Sequence, residues 1–521
     1  MQDTSGSRLP IRPEWIVFPA RFVALVLACT LVACASRSAA LPDSEAPPAT
    51  HGQGVHLNDL HSRLNATTVR EVAQPETIEQ LRVLVARANR ESLVISIAGG
   101  RHAMGGQQFA AGALHVDMSG FKRILALDRS RGIVTVESGI QWPQLIEGLL
   151  AMQPDDPQAW GIVQKQTGAD NLSIGGALSA NVHGRGLALQ PFVQDVESFR
   201  LLRANGNEVE VSRSSNPELF SLVAGGYGLF GIITTVNVRL QRRTRLRRDV
   251  EVAAVDQLSS RFAQRIADGY TYGDFQFKTD ETAPDFLSTG VFSTYQPVPA
   301  DTGMPPEQRA LTPADWHRLF VLAHLDKARA FSAYRDYYLG TSGQVYWSDT
   351  HQLSYYSADF EGELLKAAPN YPGGSLIITE VYVPRQKLAD LMGALATDFR
   401  SHGTNLIYGT VRLIEPDTDS YLPWARSNYA CVVMNLRVTH TPEGLKKAER
   451  EFQLIIDRAL ERDGSFFLTY HRWARKEQVL QAYPRFVQFL ELKRQYDPDE
   501  RFQSEWYRHY RKMFADVLTG R

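Results

Sequence analysis

Apolar residues recur at helical spacing over Thr77–Arg90 (TIEQLRVLVARANR) and predict an amphipathic helix, after which Leu93–Ile97 is a short continuous apolar run of strand type. Two more strand patterns, Leu114–Met118 and Gly132–Glu137, lead into a helical pattern over Trp142–Ala151. Two apolar runs flank Asn205-Gly206 within residues 198–212 (SFRLLRANGNEVEVS), which predicts a tight β-hairpin. Asn216-Pro217 opens a further helix, whose first turn accommodates a proline. Glycines stop that helix, and alternation over Ile232–Leu240 predicts a strand. Beyond the basic run Arg242–Arg248, Tyr, Phe and Trp become frequent and polar loops surround Pro297–Pro306. A second domain is therefore expected over residues 244–465, a sheet with covering helices, after a first domain over 61–243 and before a closing segment over 466–521.

The amino-terminal pattern differs. Arg8, Arg12 and Arg21 precede the apolar run Phe22–Ala35, too short to span a bilayer comfortably but suited to a secretory signal. The run closes on Leu31-Val-Ala-Cys34, which resembles a bacterial lipobox and makes Cys34 the expected lipidation site; the alternative is ordinary cleavage near Ser38-Ala39-Ala40. Either way the protein is expected to be exported. The lipobox places it in the periplasm, attached to a membrane by a lipid anchor alone. Residues 35 to 60, rich in Ala, Ser, Pro and Gly, read as a flexible tether.

With 521 residues, 44% apolar and 22% charged, and a formal net charge of −1, the chain has room for a large core and lacks the charge excess of a nucleic-acid binder. Arg242–Arg248 is read as a solvated linker. Cys29 and Cys34 fall in the signal, leaving Cys431 without a cysteine to pair with, in an apolar run where it reads as a small buried hydrophobe.

Gly226-Tyr-Gly-Leu-Phe-Gly231 satisfies G-x-G-x-x-G, but here the glycines follow a helix and open a strand, the reverse of the dinucleotide-binding context. No phosphate-loop, HExxH, paired CxxC or GxSxG pattern occurs, and no metal site is expected. What stands out is an ordered set of glycine loops: residues 99–106 (GGRHAMGG), 167–177 (TGADNLSIGGA) followed by 181–186 (NVHGRG), and 225–234 (GGYGLFGIIT). Loops of this kind expose consecutive backbone N–H groups and let a phosphate approach without a lysine.

In this order and spacing the loops, with VTVESGIQW over 134–142 and the helix–glycine–strand stretch over 216–240, resemble the FAD-binding domain of the vanillyl-alcohol oxidase/p-cresol methylhydroxylase (PCMH-type) family. The closing residues 483–506 are also similar to that family's return segment. The resemblance implies an α+β fold: a PCMH-type FAD-binding domain of two α+β subdomains, and an α+β substrate domain with an antiparallel sheet. It implies FAD as cofactor. From the first loop it assigns Gly99, Gly100, Arg101, His102, Ala103, Met104, Gly105 and Gly106 to the cofactor site. From the later loops it assigns Thr167, Gly168, Asn171, Ser173, Gly176, His183, Gly184, Gly231 and Ile232. His102 falls where many relatives join the flavin 8α-methyl group covalently, although in others the loop histidine only packs.

An alcohol or amine oxidised by a flavin needs polar groups aimed at its heteroatom in a dry cleft. By resemblance Arg412, in GTVRLIEPD, is an active-site arginine, with Thr410 where relatives often carry a glutamate; Glu415 is expected on the opposite strand face. His471 in LTYHRWARK is the leading acid/base candidate, followed by Lys476 and Glu380. Tyr346, Trp347, Tyr355 and Tyr356 read as core or cleft wall. The expected activity is dehydrogenation of an alcohol carbon of a small polyol, sugar or sugar lactone, with oxygen or another carrier as electron acceptor. Amine oxidation of the cytokinin-dehydrogenase kind and a binding lipoprotein without turnover are the alternatives.

Overall fold

In the computed structural model, which describes residues 54–156, 158–355 and 360–518, Thr77 caps the first predicted helix by accepting a hydrogen bond from the Gln80 backbone N–H. The helix Ile78–Arg90 buries Leu81, Val85 and Ala88, which share one face, against a small parallel sheet ordered Glu71–Ala73, Leu114–Asp117, Ile95–Ala98. The first glycine loop leaves the carboxyl end of the Ile95–Ala98 strand. Cys34 and the expected signal and lipobox, with Tyr356, lie outside the described residues. Among the described residues no helix is long and apolar enough to cross a membrane.

An antiparallel sheet follows, ordered Glu208–Ser212, Val196–Leu202, Ile232–Arg242, Ile133–Glu137, Ile124–Asp128. The predicted hairpin is there, its Gly206 at φ 82°, and the third glycine loop links the helix Pro217–Val223 to the strand Ile232–Arg242. Eight more strands form a third sheet, antiparallel throughout, in which Leu406–Ile414, Tyr429–Thr439 and Gly374–Pro384 lie side by side. Helices Leu388–His402 and Pro442–Leu460 pack on the Gly374–Pro384 strand. The architecture is α+β, as expected.

Register determines what the third sheet presents. Arg412, Cys431 and Tyr382 lie opposite one another on the three strands, as do Thr410, Val433 and Glu380, so all six share one face. The basic run does not behave as a solvated linker. Its second half enters the strand Arg245–Ala254, where alternation turns Arg248 inward to donate to Tyr295 Oη and Thr341 Oγ1, each at 3.0 Å, and Arg243 pairs with Asp349 at 2.6 Å.

Candidate active site

The glycine loops and the polar face of the third sheet enclose one cavity, about 1450 Å³ including its open mouth. Where the first loop crosses the second, its glycines leave no room for side chains of their own. A Cβ on Gly99 would stand 2.0 Å from Ser173 Oγ, and one on Gly100 would stand 2.1 Å from the Asn171 carbonyl oxygen. Two non-glycine residues in left-handed conformation, Arg101 (φ 55°) and Tyr227 (φ 54°), also line the cavity. Backbone held there costs energy that the surroundings must offset, a pattern that concentrates at ligand sites.

Of the residues expected to touch cofactor, Gly99, Gly100, Arg101, His102, Ala103, Met104, Thr167, Gly168, Ser173, Gly176, His183 and Gly231 line the cavity. Five do not. Gly105 donates its N–H to Gln107 Oε1, and Gly106 faces Asn65, Arg472 and Glu505. Asn171 contributes the carbonyl against which Gly100 sits, Gly184 accepts from His183 Nδ1, and Ile232 packs in the hydrophobic cluster with Leu81 and Phe502. In each case an adjoining residue lines the cavity: Met104, Gln107, Leu172, His183 and Gly231 respectively.

His61, Ser138, Ser179, Tyr227 and Gly228 line the cavity without having been singled out from the sequence. Ser138 Oγ and Thr167 Oγ1 are buried with no hydrogen-bond partner among the described residues. Unpaired hydroxyls at a cavity wall suit a polar ligand. His102 is held down to about 4 by burial first and then by the charge of His61, with Asp59 opposing, so its imidazole is neutral at neutral pH.

The opposite wall is built from Ile378, Glu380, Arg412 and Val433 of the sheet, with Phe467, Thr469 and Tyr470 of the closing segment. Glu380, 3% exposed, gathers four donors: His183 Nε2 at 2.5 Å, Tyr382 Oη at 2.6 Å and Cys431 Sγ at 3.0 Å on Oε1, and Tyr470 Oη at 2.8 Å on Oε2. His183 Nδ1 faces the Gly184 carbonyl at 3.0 Å and so carries a proton, which orients the other ring nitrogen toward Glu380. Burial pushes the Glu380 carboxyl up, but the His183 charge and these hydrogen bonds together outweigh it and hold the group down at about 2. Cys431 is buried, yet it is a donor to Glu380 and not simply a small hydrophobe.

The two candidates favoured from the closing segment sit elsewhere. His471 stacks on Trp473 with ring centres 3.8 Å apart and is pushed down to about 3 by burial, then by Arg472 and His509. Its neighbour Tyr470 faces the cavity instead. Lys476, at the start of the helix Lys476–Ala482, pairs with Asp516 at 2.6 Å, away from the cavity. Glu415 pairs with Arg385 at 2.7 Å. Tyr346, Trp347 and Tyr355 do not line the cavity; Tyr346 lies under Arg248, 4.5 Å from its guanidinium carbon.

Residues 69–212 match the family model described as FAD binding domain. This stretch is similar to FAD-binding domains. It supplies the first two glycine loops and His183, so the interlocked cradle belongs to the matched residues. Relatives include an uncharacterised oxidoreductase encoded in the fasciation locus of Rhodococcoides fascians, 29% identical over 36% of this chain and 42% of the relative. Mitochondrial L-galactono-1,4-lactone dehydrogenase of Brassica oleracea is 26% identical over 38% of this chain and 33% of the relative. Cytokinin dehydrogenase 5 of Oryza sativa subsp. japonica is 30% identical over 30% of each chain. The chain thus spans less than half the length of the curated relatives it matches. The glycine cradle and the two unpartnered hydroxyls fit FAD.

Proposed function

We propose that the protein is an FAD-dependent oxidoreductase that dehydrogenates an alcohol carbon of a small polyol, sugar or sugar-lactone-like substrate. The observation that carries this reading is the shared cavity, with the FAD-binding domain's glycine loops on one side and a wall bearing Arg412, Glu380 and Tyr470 on the other. Bound FAD supplies the two-electron acceptor for the substrate's C–H bond. The chain's own residues do the rest. The interlocked loops hold the cofactor and exclude water, Tyr470 keeps its proton on Glu380 Oε2, and Arg412 offers a positive charge to the substrate's oxygen atoms.

His102, neutral and against the cavity, is suited to covalent attachment of the flavin. The amino-terminal pattern supports export to the periplasm with a lipid anchor on Cys34, and Cys34→Ser should release the protein from membranes. Oxygen or another carrier would reoxidise the flavin. Amine oxidation stands as a second reading, favoured by the Glu380 carboxylate in the wall and by the cytokinin dehydrogenase likeness.

Protein purified from residue 36 onward should be yellow, keep its colour in an acid-precipitated pellet, lose that retention in His102→Ala, and bleach anaerobically with a polyol, sugar or lactone. A colourless protein that takes up no added FAD would overturn the reading.

A further inference from the structure

Several charged groups near the cavity meet a partner, and Arg412, in its wall, does not meet one among the described residues. Lys165 meets Asp170 at 2.6 Å, Arg185 stands 4.0 Å from Asp274, and His183 meets Glu380 at 2.5 Å. Arg412 is 7% exposed and lines the cavity, and its Nε is buried with no partner. Among the described residues it makes no ion pair. Glu380, the carboxylate on the same wall, is already held by four donors.

A guanidinium stays charged at any working pH, and an unpaired buried charge costs several kcal/mol. A fold retains such a group where a ligand brings the counter-charge. Arg412 stands on the sheet wall and not among the glycine loops that fit the cofactor. Nearby on that wall, Tyr470 spends its only proton on Glu380 Oε2, so the lone pairs of its oxygen are left to accept a hydrogen bond. One strand lies between Arg412 and Glu380, the acceptor of the Tyr470 proton, and Glu380 is offset by two residues from the position opposite Arg412, so their backbones stand about 12 Å apart while both side chains line one cavity.

We propose that the substrate is a hydroxy acid, its carboxylate paired with Arg412 and its hydroxyl donating to Tyr470. The inference rests on the reading of this site as one that oxidises an alcohol carbon, and it narrows the polyol and sugar class to compounds that also carry an anionic oxygen. An acid brings the full counter-charge that a neutral polyol or lactone lacks.

The test uses two small probes on the FAD-loaded protein: 2-hydroxyisobutyrate, whose carbinol carbon has no hydrogen to give up, and its neutral amide. Binding is read from perturbation of the flavin's visible spectrum. The acid should bind at least about 10-fold more tightly than the amide, as expected of a charge-assisted bidentate contact. Arg412→Met should remove that preference, with flavin content and melting temperature showing that the variant is folded, and Arg412→Lys should retain part of it. Tyr470→Phe should weaken both probes alike, since both carry the hydroxyl.

Equal affinity of the two probes for the unaltered protein, or binding of neither, overturns the inference without use of any variant. So does an Arg412→Met protein in which acid affinity is unchanged while the flavin's reduction potential moves, which would assign the arginine to the reduced cofactor. A protein that holds no FAD is a different outcome: it sinks the proposed function itself.

Discussion

A methyl group at Gly99 or Gly100 would overlap the neighbouring loop, at 2.0 Å and 2.1 Å respectively. Gly100→Ala should therefore leave a folded protein with little or no flavin, checked by absorbance of the purified variant against its circular dichroism. Among buried side chains, His115 is 1% exposed and held down to about 4 by burial first, with Asp117 opposing and Arg101 assisting. Its unfolded ring protonates near 6.5, so between the two values the unfolded chain binds the extra proton. Stability is unaffected above that window and falls as pH drops through it, by at most about 3 kcal/mol for this group. Urea midpoints at pH 7 and pH 5 should show the drop, and His115→Gln should reduce it. Lys476 carries the opposite expectation. Its pair with Asp516 is largely exposed, so Lys476→Ala should cost less than about 1 kcal/mol and leave flavin binding intact. A large loss of bound flavin in that variant would contradict its placement outside the cavity.

At the scale of elements, the closing segment locks the first glycine loop from behind. The Ile95 N–H donates to the Arg501 carbonyl at 2.6 Å, the Gln503 N–H donates to the Ile95 carbonyl at 2.9 Å, and Phe502, 1% exposed, enters the cluster under the helix Ile78–Arg90. These bonds extend the small parallel sheet just before Gly99. Phe502→Ala should cost about 3–5 kcal/mol in chemical denaturation and loosen the flavin as well. A variant that loses stability but keeps its flavin affinity would separate the closing segment from the cradle.

At the scale of the whole molecule, Glu380 and His183 join the third sheet to the second glycine loop, and Tyr470 ties the closing segment to the same carboxylate. Glu380→Gln removes the charge from the acceptor of four buried hydrogen bonds, each worth about 1.5–3 kcal/mol while the acceptor is charged. Glu380→Gln should accordingly lower the melting temperature and expose new protease sites between the FAD-binding domain and the sheet. Tyr382→Phe, which removes a single neutral donor, should do so far less.

Much of this protein was legible along the chain because its physics is local. Helical periodicity marked Ile78–Arg90, Asn205-Gly206 marked the hairpin, and glycine-rich stretches between elements marked the loops around the cavity. Those features depend on neighbouring residues and on backbone freedom, which sequence carries directly. The wall opposite the loops was not legible in the same way. Whether Tyr470 or His471 faces the cavity depends on which side the closing segment turns inward, and a shift of one residue exchanges them. Glu380 acquired its partners from 197, 51 and 90 residues away in sequence, at His183, Cys431 and Tyr470. The sequence by itself determined the cradle for FAD, because glycine spacing encodes close backbone approach. Only the tertiary structure decided which polar groups face it, because strand register and the docking of distant segments aim side chains that local pattern cannot.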